Sequence, residues 1–430
     1  MKKLLFLCLL LCVGCSKCFG PEPKLDKITS APYAPNEIIL DVHGLSEADR
    51  KAQTANLVMQ GFEKKDSCNC SSGVELWGSN RDIDILGVIR GAAASMPTQG
   101  GSKPLSPNSL IDLPNIREPQ PQTPNQPDTP RIRPSSGNSV RIVILDTGVE
   151  PSLSYNSMLW RRPTTPLCSQ EGMYGLDVNI PVGTASTEPL DLFGHGTHIN
   201  GIISGIPSNA GSQSNVQFEQ LNVKITRNSD HKTSLFNAVC GLYYGLDRGG
   251  QVFNLSWGYA DDEEPQLIKS FLETVKNKNV IIAVAAGNDS TNNDTTKFWP
   301  ACFSEQFPEF VISVGGYNAY YTPNTPSSPK YELYNKSNFG KAVDIFAPGV
   351  NVVSTFINPP INRAVVSGTS MATAYVSRVA AIILGKNPSA TPQQIKSCII
   401  DAADSETIGG NSMRFLQSQK AIDNICPKTN

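Results

Sequence analysis

The stretch VRIVILDTGV, residues 140–149, sets four consecutive apolar side chains directly ahead of Asp146. A short apolar run closed by Thr-Gly reads as a buried strand with a carboxylate at its carboxyl end. By itself that aspartate is an ordinary turn residue. From residue 138 onward the pattern returns in VFNLS, VIIAVAA and FVISVG, with helical stretches such as SLFNAVCGLYYGL and PQLIKSFLETVKN between them. Alternating strands and helices predict an α/β fold, a mostly parallel sheet flanked by helices on both faces. In such sheets chemistry gathers at the carboxyl ends of strands and the amino ends of helices.

Three further candidates stand at such ends. FGHGTHINGII, residues 193–203, places His195 between two glycines at the start of an apolar helical run. The chain has four histidines, His43, His195, His198 and His231. The spacing of His195 and His198 does not fit the i, i+4 zinc motif, so no metal site is expected. VAAGND presents Asn288 just after a buried strand, where its amide can donate to a developing oxyanion or simply serve a turn. SGTSMATAYVSRVAA, residues 367–381, opens a small and apolar helix at Ser370, a candidate nucleophile or a plain helix cap. Arg378 is the exception in that helix and needs a partner or a route to solvent.

Taken together, ILDTGV, GHGTHINGI, NLSWG, AAGN, DIFAPGVNVVST and SGTSMATAYV resemble, in order, the motifs of the subtilisin-like serine peptidases, over about residues 138 to 426. The resemblance implies a serine endopeptidase acting through an acyl-enzyme. Ser370 would be the nucleophile, His195 the general base and Asp146 the residue that orients it. The oxyanion would be held by the Asn288 amide and the Ser370 backbone N–H. It also implies that Ser256, Trp257 and Gly258, with Ala285, Ala286 and Gly287, border the pocket for the residue before the cut. Trp257 could equally be a core residue. No cofactor is implied for the chemistry, and the structural calcium common in the family has no assignable place here. An α/β-hydrolase esterase is excluded, because every histidine precedes Ser370. The alternative is a catalytically idle domain of the same fold that binds peptides without cutting them. Ala374, Tyr375, Ser377, Arg378 and Asn200 depart from the family pattern. They bear on packing and specificity, since none is a catalytic position.

The remainder of the chain organises itself around this domain. A basic start, an apolar run from Leu4 to Val13 and then Gly14-Cys15 make residues 1–14 an export signal. They resemble a bacterial lipoprotein signal with Cys15 as the lipidated residue, and plain secretion is the alternative. Contact with the membrane would be through that anchor alone. Residues 36–90 read as a small α/β unit: strands at NEIILDV, VELW and IDILGVI and a helix in LSEADRKAQTANLVMQGF. By resemblance this unit is a prodomain that chaperones or inhibits the enzyme, or else a permanent accessory domain. Residues 97–137 read as an extended linker, since ten of the 32 prolines fall between 97 and 134. The catalytic domain takes 138–430. A formal net charge of −2 on 430 residues gives no footing for nucleic acid. Of the eleven cysteines, eight remain once the signal is removed and Cys15 is lipidated, an even number that permits disulfides of undetermined pairing, and Cys68-Asn69-Cys70 reads as structural or redox-incidental and not as a zinc site.

Overall fold

A computed structural model describes residues 33–430 apart from 69, 72, 94–103, 113–138, 181–187, 206–217 and 424–430. The export signal, Cys15 and most of the linker lie outside the described residues.

The N-terminal unit begins with β1 (Tyr33–Asp41) and α1 (Glu47–Met59), which Ser46 caps by accepting the Asp49 N–H at 3.1 Å. Then follow β2 (Glu63–Ser67), β3 (Val74–Gly78), α2 (Ile85–Ala93) and β4 (Leu105–Asp112). Two expectations change here. IDILGVI is not a strand but opens α2, because Asp84 accepts the Gly87 N–H at 2.9 Å and starts a helical turn. The second concerns the linker. Within it, Leu105–Asp112 is a packed strand between β1 and β8 of the large unit, with Ile111 fully buried. Pro107 is tolerated there because the β1–β4 register shifts between Tyr33 and Ile38, breaking the regular ladder.

The large unit has, in chain order, β5 (Val140–Asp146), β6 (Gly175–Asp177), α3 (His195–Ser204), β7 (Phe218–Lys224), β8 (Lys232–Ser234) and α4 (Leu235–Asp247). Next come β9 (Val252–Leu255), β10 (Tyr259–Ala260), α5 (Gln266–Val275), β11 (Ile281–Ala285), β12 (Phe298–Trp299), β13 (Val311–Asn318) and β14 (Glu332–Leu333). The chain ends with β15 (Ile345–Pro348), β16 (Val352–Thr355), β17 (Arg363–Val366), α6 (Thr369–Lys386), α7 (Pro392–Ala402), β18 (Asp404–Ile408), β19 (Asn411–Phe415) and α8 (Ser418–Asp423). The main sheet runs β18-β19-β15-β13-β11-β9-β5-β7-β6, with β14 attached to β13. Its pairings are parallel except at β14 and β18. Along β5, Val143 and Leu145 enter the core shared with α4 and α5, while Ile142 and Ile144 enter the core shared with α3 and α6. That alternation is why the strand reads as an unbroken apolar run: both faces are covered.

The two units are knitted together. β4 pairs antiparallel with β8, Leu110 opposite Ser234 and Asp112 opposite Lys232, so the N-terminal sheet runs on as β2-β3-β1-β4-β8. Asn108 accepts the Phe236 N–H at 3.1 Å, and Ser270 donates to Asp41 at 2.7 Å. The His43 ring stacks on Tyr243 at 3.9 Å. Two disulfides, Cys68–Cys240 and Cys70–Cys168, cross the same seam.

Candidate active site

Asp146 closes β5 and His195 opens α3, and the structure joins them: His195 Nδ1 lies 2.7 Å from Asp146 Oδ1, both side chains being 1% exposed. This fixes the ring with Nε2 pointing away from the carboxylate, and that atom has no partner among the described residues. Burial alone would push the His195 imidazole down. The charge and hydrogen bond of Asp146, with the charge of Asp191, outweigh it and raise the pKa above its ordinary 6.5. Such a ring is a base whose protonated form is already favoured.

The close approach depends on the neighbouring glycines. Gly194 has φ +101°, and a side chain there would meet the Phe356 ring. A Cβ on Gly196 would come within 2.2 Å of the Gly148 carbonyl oxygen. Asp191 holds the helix start from below in sequence: its Oδ1 accepts the Phe193 and Gly194 N–H groups at 2.9 and 2.8 Å, and its Oδ2 the Thr197 N–H at 2.8 Å. Sequence reading passed over this residue. The signal was present as an aspartate ahead of an apolar helical run.

Ser370 lies in the first turn of α6 and is 1% exposed. Its hydroxyl donates to the Ser256 carbonyl at 3.0 Å, while the Ser256 hydroxyl donates to the Ser370 carbonyl at 2.9 Å. Ser256 therefore braces the serine helix through its side chain. Asn288 is brought to the same place. Its Oδ1 accepts the Thr369 N–H at 2.9 Å and the Thr369 hydroxyl at 3.1 Å, which leaves Nδ2 as the outward donor. Ser256–Gly258 follow β9 and Ala285–Gly287 begin at the last residue of β11, and the parallel register sets Leu255 beside Val284. Ala285 and Ala286 are buried, Gly287 takes φ +107°, and Gly258 keeps partial exposure. Trp257 is fully buried in the large core, the core reading of that residue.

His198 has a different task. Its Nε2 lies 3.1 Å from the Val352 carbonyl and 3.3 Å from that of Ala364, and burial drives its pKa down to about 3. It is a neutral ring pinning the β16–β17 hairpin. Among the described residues no group of three or more His, Cys, Asp and Glu side chains could hold a metal ion. Arg378, 2% exposed, donates to the Ile203 carbonyl at 2.6 Å with its guanidinium 5.7 Å from the Phe218 ring centroid. A cation thus meets the negative end of α3, and burial lowers its pKa to about 10.

An Asp–His pair at a strand end and a helix start, with serine and asparagine donors on neighbouring ends of a doubly wound parallel sheet, defines a subtilisin-like peptidase domain. The sequence profile of the Subtilase family matches residues 137–420, and the chain belongs to that family. The thermophilic serine proteinase of Bacillus sp. (strain AK1) is 30% identical over 242 residues, 55% of this chain and 53% of that protein. Subtilisin BL of Lederbergia lenta is 26% identical over 270 residues, 63% of this chain and 85% of that protein. The chain spans about half the length of several of the curated relatives it matches. Fervidolysin from Fervidobacterium pennivorans, a keratinolytic enzyme related to subtilisin, shares the fold over 92% of this chain and 62% of its own, with a TM-score of 0.65 at 17% identity.

Proposed function

We propose that this protein is an exported serine endopeptidase with Asp146, His195 and Ser370 as its triad. The observation that carries the reading is the buried 2.7 Å Asp146–His195 pair with Nε2 left unpaired. Ser370 loses its proton to His195 Nε2 as its oxygen attacks the scissile carbonyl, and the same ring then protonates the leaving amine. Asp146 holds the tautomer and stabilises the imidazolium. The oxyanion lies between Asn288 Nδ2 and the Ser370 N–H, one of the first N–H groups of α6, which have no intrahelical acceptor. Extended polypeptide pairs with backbone at the cleft, Ser256–Gly258 and Ala285–Gly287 bordering the pocket for the residue before the cut.

The N-terminal unit acts on this site as an inhibitor. β4 runs antiparallel to β8 and ends at Asp112, opposite Lys232. The residue before Lys232, His231, stacks its ring at 4.3 Å on Phe193, which lies two positions before His195. The edge of β8, next in the chain to a ring that stacks near the start of the His195 helix, is thus taken by the chain's own backbone, and the near-complete burial of His195 and Ser370 supports a covered site. Export, with lipidation at Cys15, agrees with an oxidised, disulfide-bearing chain.

A fluorophosphonate probe tests the chemistry. Labelling of Ser370, located by mass spectrometry and abolished in Ser370→Ala, is the expected result. Absence of labelling both in the full chain and in a chain beginning at Asn138 would refute the triad and favour an idle peptide-binding domain. Labelling confined to the shorter chain would support the inhibitory role of the N-terminal unit.

A further inference from the structure

Four cysteines that the catalytic chemistry leaves unused stand on the seam between the two units. Cys68 and Cys70, two residues apart in the N-terminal unit, join different parts of the catalytic unit: Cys68 reaches Cys240 in α4, and Cys70 reaches Cys168 ahead of β6. Cys68 and Cys240, joined in the first of these bonds, are 7% and 2% exposed. The peptide chain connects the same two units only once, between Asp112 and Val140. Among the described residues two disulfides therefore cross the seam in addition to the peptide connection.

We propose that the N-terminal unit is a retained, disulfide-held subunit whose departure is controlled by reduction and not by cleavage of the polypeptide. A unit held only by noncovalent contacts leaves when the connecting chain is cut and the sample is diluted. A short covalent tether keeps it at an effective concentration on the order of millimolar, so it rebinds faster than substrate replaces it. A cut between Asp112 and Val140 therefore yields a two-chain molecule with β4 still on β8. Release takes a dithiol. Each disulfide accepts two electrons and two protons while a dithiol closes to its own disulfide, so two dithiol equivalents convert the two bonds to four thiols. The tether follows from the seam itself. Its consequence for activity rests on the inhibitory reading above.

The test uses the full chain carrying Ser370→Ala, with a recognition sequence for a sequence-specific protease placed between Pro119 and Pro130. After cutting, a non-reducing denaturing gel is expected to show one species of full mass, and dithiothreitol is expected to split it in two. Separation of the N-terminal fragment without reductant would overturn the proposal. Cys68→Ser/Cys70→Ser is expected to separate on cutting alone. Where that variant fails to fold, peptide mapping of the unreduced unmodified chain decides: 68–240 and 70–168 cross-linked peptides sustain the tether, and recovery of these cysteines as thiols or in other pairs refutes it. In the active chain, peptide hydrolysis after cutting is expected to rise at least tenfold on reduction. Retention with no rise would leave the tether standing and refute the inhibitory reading. The Cys68→Ser/Cys70→Ser chain also separates the effect of the seam from that of Cys398, which is disulfide-bonded elsewhere.

Discussion

Asp191→Asn separates two contributions of one buried carboxylate to His195. Asp191 is 3% exposed and accepts three backbone N–H groups at the start of α3, while its charge helps raise the His195 pKa. Asparagine keeps Oδ1 for Phe193 and Gly194 but turns an NH₂ toward the Thr197 N–H. One buried donor left unpaired costs about 1–3 kcal/mol, and two charge-assisted bonds made neutral bring the loss to about 2–4 kcal/mol. For a domain of this size that lowers Tm by about 4–8 °C. The electrostatic part has its own readout. His195 must be neutral to accept the serine proton, and its pKa is raised, so activity falls as pH drops through a value above 6.5. Removing the Asp191 charge takes away one of the interactions favouring imidazolium, so the acid limb of kcat/KM moves to lower pH. Thermal unfolding and a pH–rate profile on a peptide substrate measure both. A lowered Tm with an unmoved acid limb would refute the electrostatic coupling and leave Asp191 a helix cap alone.

Other perturbations test other parts of the molecule. Asn288→Ala removes the proposed oxyanion donor and should lower kcat about 10²–10³-fold with KM nearly unchanged; a loss expressed in KM would refute that role. Arg378→Ala should destabilise by about 2–4 kcal/mol, since it opens a cavity and frees the Ile203 carbonyl, whereas Arg378→Met refills the space; equal losses in the two variants by denaturant unfolding would contradict the packing account. Glu75 is buried, which alone would raise its carboxyl, but hydrogen bonds from Lys64, Arg50 and Trp77 hold it below its ordinary 4.5. Its contribution is therefore present above pH 4.5 and lost as pH falls through the lower folded value. Glu75→Gln should blunt the acid sensitivity of the N-terminal unit, followed by Trp77 fluorescence, and an unchanged acid transition would exclude this carboxylate as its source.

The catalytic unit was legible because its signals are local. The apolar runs of β5, β9, β11 and β13 announce strands covered on both faces, and Thr391-Pro392-Gln393-Gln394 forms the capping box it spells. The N-terminal unit was less so. β2 is built from EKKDS, with no apolar alternation, because it is the edge of its sheet. β4 lies among prolines and is a strand only because β1 and β8 flank it, a pairing of distant segments that no window of sequence contains. IDILGVI is β-branched enough to read as a strand, and a single aspartate decides for helix. The disulfides depend on the docking of two units and so could not be paired from spacing.

The departures from the family pattern share a physical logic. Three of them, Ser377, Asn200 and Arg378, place a polar group in a buried layer, and each makes a hydrogen bond there. Ser377 donates to Asn254 Oδ1 at 2.9 Å, Asn254 donates to the Ser256 hydroxyl at 2.9 Å, and Ser256 donates to the carbonyl of Ser370. Asn200 donates to Asn222 Oδ1 and to the Gly196 carbonyl, both at 2.8 Å, within the helix that carries His195. Arg378 meets the carboxyl end of that same helix. A buried polar group costs a few kcal/mol when unpaired and little when paired. These bonds offset part of that cost in the helices bearing Ser370 and His195, while Asn200 Oδ1 and Arg378 Nε have no partner among the described residues. Directional bonds between α6, β9 and α3 fix the relative positions of the elements bearing Ser370 and His195, a constraint that apolar packing alone supplies less specifically.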